Sequence, residues 1–347
     1  MTPYRLDRFF ITGDKIMTTI KDIADRLGVS AGTVSKGLNG ADDISEQLRN
    51  KILETAVEMG YTKKSIHRQD TRKLCIFIEN MDYYLEDDFG YDILLGFRQA
   101  AFKEKWDVEM IPVSHDFQIK RPYDPFMLGR NISGALLIGF ALDDPWMKEL
   151  ENTKVPTILF DNYIKDNPMC CSVGSDSDEG IGLAIDHLAK LGHRKIAFLD
   201  GPEGSMISEN RMNAYKFNME KHGFAYSNRF IAYEPYSLDA ATRHVSRFVN
   251  VGVTAILCGN DTLAFGVLAE CKKLGLRVPE DISVIGFDDI PGCEKSEPPL
   301  TSVKQDRVQL GKCCYYVLYA LVNGVSLSRN LLRTSLTVRG STAPVKN

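Results

Sequence analysis

The spacing of apolar residues along this chain changes at about residue 74. Before that point they recur every three or four positions, as on one face of an α-helix. They do so at Ile20, Ile23, Ala24, Leu27, Val34 and Leu38, and again at Leu48, Ile52, Ala56 and Met59. After it, short apolar runs alternate with longer helical stretches. The pattern predicts a small all-α domain followed by a larger α/β region.

The stretch from Thr19 to Asn39, TIKDIADRLGVSAGTVSKGLN, predicts two short helices joined by a tight turn. Thr19 with Asp22 three residues later is typical of a capped helix start. Gly28 permits the left-handed conformation that ends the first helix, and Ser30 caps the second. This arrangement is a helix-turn-helix, whose second helix enters the major groove of DNA. The alternative is a small helical hairpin with a glycine turn.

Seven apolar runs from Leu74 onward are predicted to be strands: LCIFIE, VEMIPV, GALLIGF, VPTILFD, KIAFLD, TAILCG and SVIGFDD. Helical stretches such as YDILLGFRQAAFKEK, DEGIGLAIDHLAKLG and DTLAFGVLAECKKLG lie between them. Alternating strands and helices are typical of parallel sheets covered by helices on both faces. The length accommodates two such doubly wound sheets, one before and one after about residue 173.

Open α/β sheets bind ligands beyond the carboxyl ends of their strands. Aromatic, carboxylate and amide side chains follow the predicted strands, at Tyr83, Tyr84, Phe140, Asp161, Asn260–Asp261 and Asp288–Asp289. Flat rings can stack on sugar faces, while carboxylates and amides can form hydrogen bonds with hydroxyls. For each single residue the alternative is a capping or packing role.

The charge of the chain is divided unevenly. Its net charge is −4, which is unusual for a nucleic-acid-binding protein. Residues 17–73 nevertheless hold ten Lys/Arg against eight Asp/Glu, and the segment 63–73, KKSIHRQDTRK, holds five against one. Residues 74–347 carry a net charge of −7. Positive charge is therefore concentrated beside the predicted helix-turn-helix, where it can contact phosphates.

Other functional classes lack their sequence signals. No apolar run reaches the ~18 residues of a membrane span, and the charged N-terminus does not match a secretion signal. We therefore expect a cytoplasmic protein with no membrane partner, and not a transport-type solute-binding protein. The nucleophile-elbow, Walker and H-E-x-x-H motifs are missing from the sequence, and its eight cysteines form no C-x-x-C pair. We expect no enzyme activity, no cofactor and no metal site.

The segments TIKDIADRLGVSAGTVSKGLNG and ISEQLRNKILETAVEMGY resemble the N-terminal domain of the lactose/galactose repressor (LacI/GalR) family of transcription regulators. The resemblance implies base-reading positions on the second helix, at Ala31, Gly32 and Lys36. It implies contacts to phosphates at Thr33, Ser35 and Asn39. The expected DNA contacts also include the two residues that begin the helices, Thr19 and Ser30.

The chain departs from the family pattern in two places. Gly32 and Gly37 each lower helix propensity by about 1 kcal/mol relative to Ala, and Gly32 offers no side chain to a base. The linker YTKKSIHRQDTRKL lacks the Pro-Asn and the Ala/Leu-rich hinge helix that family members use in the minor groove. We expect the basic linker residues to contact the DNA backbone instead, namely Lys63, Lys64 and Arg68. The alternative is a plain basic linker.

The resemblance continues through VGSDSDEGIGLAIDHLAKLGHRKIAFLDGP, AILCGNDTLAFGVL, LRVPEDISVIGFDDI, PPLTSVKQD and LTVRGST. It implies an effector, a carbohydrate, bound between two lobes like those of periplasmic sugar-binding proteins. Arg211 matches the ligand-gripping arginine of the family, whose planar fork suits vicinal hydroxyls or a carboxylate. The expected effector contacts are Tyr83, Tyr84, Phe140, Asp161, Arg211, Tyr236, Asn260 and Asp288.

The fold class expected is an all-α helix-turn-helix domain plus two doubly wound parallel-sheet lobes resembling periplasmic binding proteins. The boundaries expected are 17–62 for the DNA-binding domain, 63–73 for the hinge linker, 74–173 with 304–333 for the N-terminal lobe, and 174–303 with 334–347 for the C-terminal lobe. Residues 1–16 precede Met17, the expected initiator, and are expected to be disordered or a start-site artefact.

The resemblance also implies how the protein acts. A homodimer reads a pseudo-palindromic site on double-stranded DNA. A small effector changes its DNA affinity by favouring one arrangement of the N-terminal lobes. The alternative keeps the DNA function but replaces the small effector with a protein co-regulator.

Overall fold

The structure is a computed structural model that describes residues 18–61, 72–86 and 88–346. The segment 1–16 and the expected backbone contacts of Lys63, Lys64 and Arg68 lie outside the described residues, so these expectations stay predictions. The chain divides into two compact units. Among the described residues, the first unit holds 18–61 and 124–131, and the second holds the remainder.

Three short helices begin the first unit: α1 (Ile20–Leu27), α2 (Ala31–Leu38) and α3 (Glu46–Glu58). Thr19 and Asp22 cap α1 reciprocally, since Thr19 Oγ1 accepts from the Asp22 N–H at 3.3 Å and the Asp22 carboxylate accepts from the Thr19 N–H at 2.7 Å. Gly28 ends α1 with a φ of 67°. Ser30 and Ser45 cap α2 and α3, each accepting from a backbone N–H three residues later. The predicted caps of α1 and α2 and the turn between these helices are confirmed.

The core of these three helices is small and wholly apolar. Its buried members are Ile23, Ala24, Val34, Leu38, Ile52, Leu53 and Ala56. A Cβ placed on Gly37 would lie 2.6 Å from Ile52 Cδ1. Gly37 therefore allows α2 to lie close against α3, which is a packing reason for a residue that the helix pattern disfavours.

The second unit contains two six-stranded sheets. The first has the order β11-β5-β4-β3-β1-β2, with all neighbours parallel. Its strands are β1 (Lys73–Ile78), β2 (Asp107–Pro112), β3 (Gly134–Ile138), β4 (Thr157–Phe160), β5 (Cys170–Ser175) and β11 (Arg329–Leu332). The helices between β1 and β4 along the chain are α4 (Phe89–Lys103), α5 (His115–Lys120), α6 (Tyr123–Gly129) and α7 (Pro145–Leu150).

The second sheet has the order β12-β10-β9-β8-β6-β7, parallel except for the antiparallel pair of β10 and β12. Its strands are β6 (Ile196–Asp200), β7 (Ile231–Tyr233), β8 (Ala255–Cys258), β9 (Ser283–Asp288), β10 (Thr301–Lys304) and β12 (Ser335–Thr337). Its helices are α8 (Ser177–Lys190), α9 (Met206–Lys221), α10 (Val245–Asn250), α11 (Asp261–Lys273) and α12 (Gly292–Lys295). Apolar clusters cover both of its faces, and α13 (Arg307–Val322) packs on the first sheet.

The fold class predicted from the sequence is confirmed, since helix-turn-helix helices precede two largely parallel α/β sheets. All seven predicted strands form, as β1 to β4, β6, β8 and β9. Five further strands were not predicted, because β5 is rich in Cys, Ser and Gly, and β7, β10, β11 and β12 are three or four residues long. Within the described residues, every helix is too short or too polar to cross a membrane.

Candidate functional site

The exposed face of α2 carries the residues expected to contact DNA. Along α2, Ala31, Gly32, Lys36 and Asn39 are exposed, while Thr33 and Ser35 are half-buried. Thr19 and Ser30, which begin α1 and α2, are exposed too. The oxygen of Ser30 caps α2 and lies 2.9 Å from the hydroxyl oxygen of Thr33. The expected hydroxyls are thus accessible, and part of their hydrogen-bonding capacity also orders the start of the helix.

Lys36, the one long cationic side chain on this face of α2, has a partner that the sequence did not indicate. Its Nζ donates to the carboxylate of Asp43, and both side chains are 55% exposed. The hydrogen bond from Lys36 lowers the pKa of Asp43 below its usual range. An exposed ion pair contributes at most about 1 kcal/mol, so a DNA base or phosphate can displace Asp43 at small cost.

The second site is centred on Arg211, which lies on α9 and is 4% exposed. Its Nη1 donates to the backbone oxygen of Gly259 at 2.6 Å. Its guanidinium carbon lies 4.1 Å from the centroid of the Phe287 ring, and its Nη2 lies 3.9 Å from Asp288 Oδ1. The backbone bond and the ring contact orient the guanidinium, which leaves its edge available to a ligand.

Three carboxyl groups at the ends of β4, β6 and β9 lie in the field of this guanidinium: Asp161, Asp200 and Asp288. Burial raises the pKa of Asp161 and the pKa of Asp200 to about 7, and the charge of Arg211 opposes the shift in both. Burial also raises the pKa of Asp288 to about 6, against Arg211 and a hydrogen bond from Gln305. One guanidinium therefore does not compensate for the burial of three carboxylates.

The backbone at two of these carboxyls lies in the left-handed region, with a φ of 53° at Asp161 and 114° at Asp288. Such conformations are unfavourable for residues other than glycine and concentrate at functional sites. Gly174 provides the space for one of them, since a Cβ there would lie 2.2 Å from Asp161 Oδ1. The glycine at position 174 thus leaves room for the carboxylate that follows strand β4.

Two polar residues of this site were missed in the sequence. Asp200 is fully buried, and its Oδ1 accepts from the Gly201 N–H at 2.8 Å. Gln305 is 3% exposed, and its Nε2 donates to Asp288 Oδ1 at 2.6 Å. Asp200 ends the predicted strand KIAFLD, so the strand-end rule would have selected it. Gln305 follows β10, a strand that the pattern did not reveal.

The predicted contacts Tyr236 and Asn260 differ in position and role. A Cβ on Gly201 would lie 2.1 Å from Tyr236 Oη, so this tyrosine covers the strand end beside Asp200. The Tyr236 hydroxyl also interacts electrostatically with Arg211. Asn260 caps α11, because its Oδ1 accepts from the Leu263 N–H at 2.9 Å. Asn260 therefore orders the start of α11, and its assignment as an effector contact stays a prediction.

The remaining three predicted contacts are not joined to Arg211 by any hydrogen bond, ion pair or ring contact in the described part of the chain. Phe140 is buried and stacks on Trp146, with ring centroids 6.2 Å apart. Tyr83 and Tyr84 stack on each other at 4.2 Å, and the Tyr83 hydroxyl donates to that of Tyr84 at 3.0 Å. The Tyr84 side chain is largely exposed. The assignment of Phe140, Tyr83 and Tyr84 as effector contacts stays a prediction.

A polar cavity of about 270 Å³ adjoins Asp161. Strand β5 and helices α8 and α9 contribute serine, aspartate and asparagine side chains to its wall, among them Ser175, Asp178, Asn210 and Asn213. The space beside Asp161 thus offers both room and hydrogen-bonding groups for a small hydroxylated molecule. The described residues contain no cluster of metal-ligating side chains.

Comparison with known proteins gives matches over both units. Residues 19–64 match the family "bacterial regulatory proteins, lacI family", and residues 185–342 match the "periplasmic binding protein-like domain". The chain is 27% identical over 333 residues to the HTH-type transcriptional repressor CytR of Escherichia coli (strain K12), covering 93% of this chain and 96% of CytR.

Two similar solved structures extend this result. The transcriptional regulator CelR–cellobiose complex matches with a TM-score of 0.69 and 25% identity, over 93% of this chain and 99% of that one. The lac repressor dimer bound to operator and the anti-inducer ONPF matches with a TM-score of 0.65 and 25% identity, over 94% and 99%. Sequence motifs, fold and relatives agree, and the chain belongs to the LacI/GalR family of DNA-binding transcriptional regulators.

Proposed function

We propose that this protein is a transcriptional repressor whose affinity for its operator is set by a small carbohydrate effector. The observation that carries the proposal is the combination of an exposed, hydroxyl- and lysine-bearing α2 with a buried site of one arginine and three carboxyls. The first is suited to DNA, and the second to a small polar ligand. Since the operator lies on the chromosome, we place the protein in the cytoplasm.

The DNA half of the proposal rests on the residues of α2 and on two relatives. CytR is named a repressor, and the lac repressor was solved as a dimer on its operator. We infer that this chain also acts as a homodimer on a pseudo-palindromic operator, with half-sites roughly one helical turn apart. Lys36 is the base-reading residue, because lysine can donate to guanine O6 and N7. Ala31 and Gly32 have no hydrogen-bonding side chain, so they affect only how closely α2 fits the groove.

The effector half rests on the site around Arg211. A planar guanidinium and strand-end carboxylates form the directional hydrogen bonds that hold the hydroxyls of a sugar. The CelR structure contains cellobiose, which supports a carbohydrate for this chain too. Binding would shift the DNA affinity only if the effector prefers one of two arrangements of the lobes.

The test is selection of bound DNA from a random pool by the purified full-length protein, repeated with a panel of sugars and nucleosides. We expect enrichment of one pseudo-palindrome and a change in affinity with one compound of the panel. Failure to enrich any sequence in moderate salt would remove the proposed function. A selected operator with no response to any compound would favour a protein co-regulator over a small effector.

Two lysine variants sharpen the DNA assignment. Lys36→Ala should reduce the preference for the selected operator over random DNA, because it removes a base contact. Lys63→Ala should weaken binding to all DNA alike and lower the slope of log affinity against log salt by about one. An equal loss on operator and random DNA from Lys36→Ala would contradict the base-reading role.

A further inference from the structure

The cluster of polar side chains around Arg211 has more buried acid than base. Asp200 and Asp288 are at most 7% exposed, and Asp161 shares the field of the same guanidinium. The next arginine, Arg307, also lowers the pKa of Asp288, but it forms hydrogen bonds of 2.8 and 3.2 Å to Asp92 and so shares its charge with a further carboxylate. Burying ionised carboxylates without an equal number of cations is unfavourable. The cluster is therefore suited to a ligand that supplies positive charge.

Asp200 is the carboxyl whose hydrogen bonds are least complete. Its Oδ1 accepts from the adjacent backbone N–H, whereas its Oδ2 is buried and contacts no donor among the described residues. It lies beside Arg211, because both contact Gly259: a Cβ on Gly259 would lie 2.6 Å from Asp200 Oδ1, and Arg211 donates to the Gly259 oxygen. A buried acceptor without a donor is costly, and a ligand can provide the donor.

A second buried acceptor points the same way. Gln305 donates to Asp288 through its amide nitrogen, which leaves its Oε1 buried without a donor in the described chain. On the donor side, Arg211 Nε and Arg307 Nη1 are buried without an acceptor among the described residues. A ligand that satisfies these groups donates to the two acceptors and accepts from the arginines. A hydroxylated ring that bears an amino group has such a set of groups.

We propose that Asp200 is a specificity-determining residue and that the effector is an amino sugar whose ammonium group binds Asp200 Oδ2. The inference rests on the proposed function and names the class of effector within it. An ammonium group offers three donors and a full positive charge, whereas a hydroxyl offers one donor and no charge. Hydroxyls of the same ring donate to Asp288 and Gln305 and accept from Arg211.

The experiment measures binding of matched sugars to the full-length protein by calorimetry and thermal shift at pH 8. Each set contains a parent sugar, its 2-amino derivative and its N-acetyl derivative, in the glucose and galactose series. We expect one amino sugar to bind at least tenfold more tightly than its parent, because it alone adds a cation next to Asp200. The N-acetyl derivative keeps the nitrogen but not the charge, and it should bind no better than the parent.

Asp200→Asn tests whether this preference depends on the carboxylate. The amide has the same shape without the charge, and because it removes a buried charge we expect it to fold. The preference for the amino sugar over its parent should fall to about one, through weaker binding of the amino sugar alone. Asp107→Asn is the matched control, since it removes an exposed carboxylate at the start of β2, at the end of the strands opposite to the site. It should leave the preference unchanged.

The outcomes separate this inference from the proposed function. Parent sugars that bind as tightly as amino sugars, or an unchanged preference in Asp200→Asn, overturn the inference while a sugar effector stands. Equal losses in Asp200→Asn and Asp107→Asn overturn it as well, because they would reflect net charge alone. Binding of no sugar of any kind overturns both the inference and the carbohydrate effector.

Discussion

The two units place their functional charges in opposite environments. In the first, Lys36 and Asp43 are each 55% exposed, and water screens their attraction. In the second, Arg211 and Asp200 are at most 4% exposed, among further carboxyls. Exposed pairs are worth at most about 1 kcal/mol, whereas an uncompensated buried charge costs about 3 kcal/mol or more.

This difference suits the two tasks. DNA is a polyanion that brings its own high charge, so a reader needs accessible groups that exchange partners at little cost. A small effector has few polar groups, so each contact that it makes with the protein has to release a larger free energy. Buried charges that lack partners provide that free energy, because a ligand that completes them removes an existing cost.

The largest expected effect comes from removing the buried cation. Arg211→Met should lower the free energy of unfolding of the second unit by about 3 kcal/mol at pH 8, because it leaves Asp161, Asp200 and Asp288 without their guanidinium. At pH 5 the loss should be smaller, since the raised pKa values leave these carboxyls largely protonated. Urea unfolding at the two pH values measures both.

The control for that variant is a surface arginine. Arg277 pairs with Asp281 at 2.7 Å, but its side chain is 65% exposed. Arg277→Met should change the free energy of unfolding far less than Arg211→Met does, at either pH, because water screens the exposed pair. An equal loss in both variants, or a loss from Arg211→Met that does not depend on pH, would contradict the contrast between the two environments.

In the absence of ligand, Asp200→Asn is expected to raise the free energy of unfolding, whereas Arg211→Met lowers it. The pKa of Asp200 is about 7 in the folded protein and ordinarily 3.8. Its folded pKa is therefore raised, so the stability that its proton contributes is complete below about pH 4 and is lost as the pH rises through 7. Asparagine does not titrate. As the pH rises, the free energy of unfolding of the variant should therefore increase relative to that of the wild type. The difference should exceed about 1 kcal/mol at pH 8.

Unfolding measured at pH 5 and pH 8 tests this sign. The groups that face Asp200 are Arg211, Tyr233 and Tyr236, and both tyrosines stay protonated in this range because their pKa values are raised. Asp161 and Asp288 titrate in the same window in both proteins, so the difference between variant and wild type isolates Asp200. A difference that stays constant between the two pH values would contradict the buried, uncompensated carboxyl.

Local chemistry made the first unit predictable from the sequence. Caps and turns depend on neighbours three residues away, so Thr19, Gly28 and Ser30 could be assigned from spacing alone. The packing of Gly37 on Ile52 could not, because it joins two helices. The pairing of Lys36 with Asp43 depends on the path of the loop after α2, for which the pattern gives no signal.

The effector site was predictable only in part, for a related reason. Residues at the ends of long apolar strands, such as Asp161 and Asp288, follow a topological rule. Gln305 lies after a four-residue strand whose pairing depends on distant segments. The same rule selected Phe140, which packs on Trp146, and Asn260, which caps a helix. A strand end places a residue near the site, but the neighbours decide its role.

The smallest expected effect concerns the exposed pair of the first unit. Asp43→Asn should leave the stability nearly unchanged, because both side chains of the pair are exposed, yet it releases Lys36 from its partner. Since an exposed pair is weak, the affinity for the selected operator should rise up to about fivefold. Asp42→Asn removes a charge from the same loop without a bond to Lys36, and it serves as the control in the same filter-binding titration. If Asp43→Asn raises the affinity more than Asp42→Asn does, and more on operator than on random DNA, Asp43 competes with DNA for the base-reading lysine. Equal increases in the two variants would mean that Asp43 acts only through the negative charge of the loop.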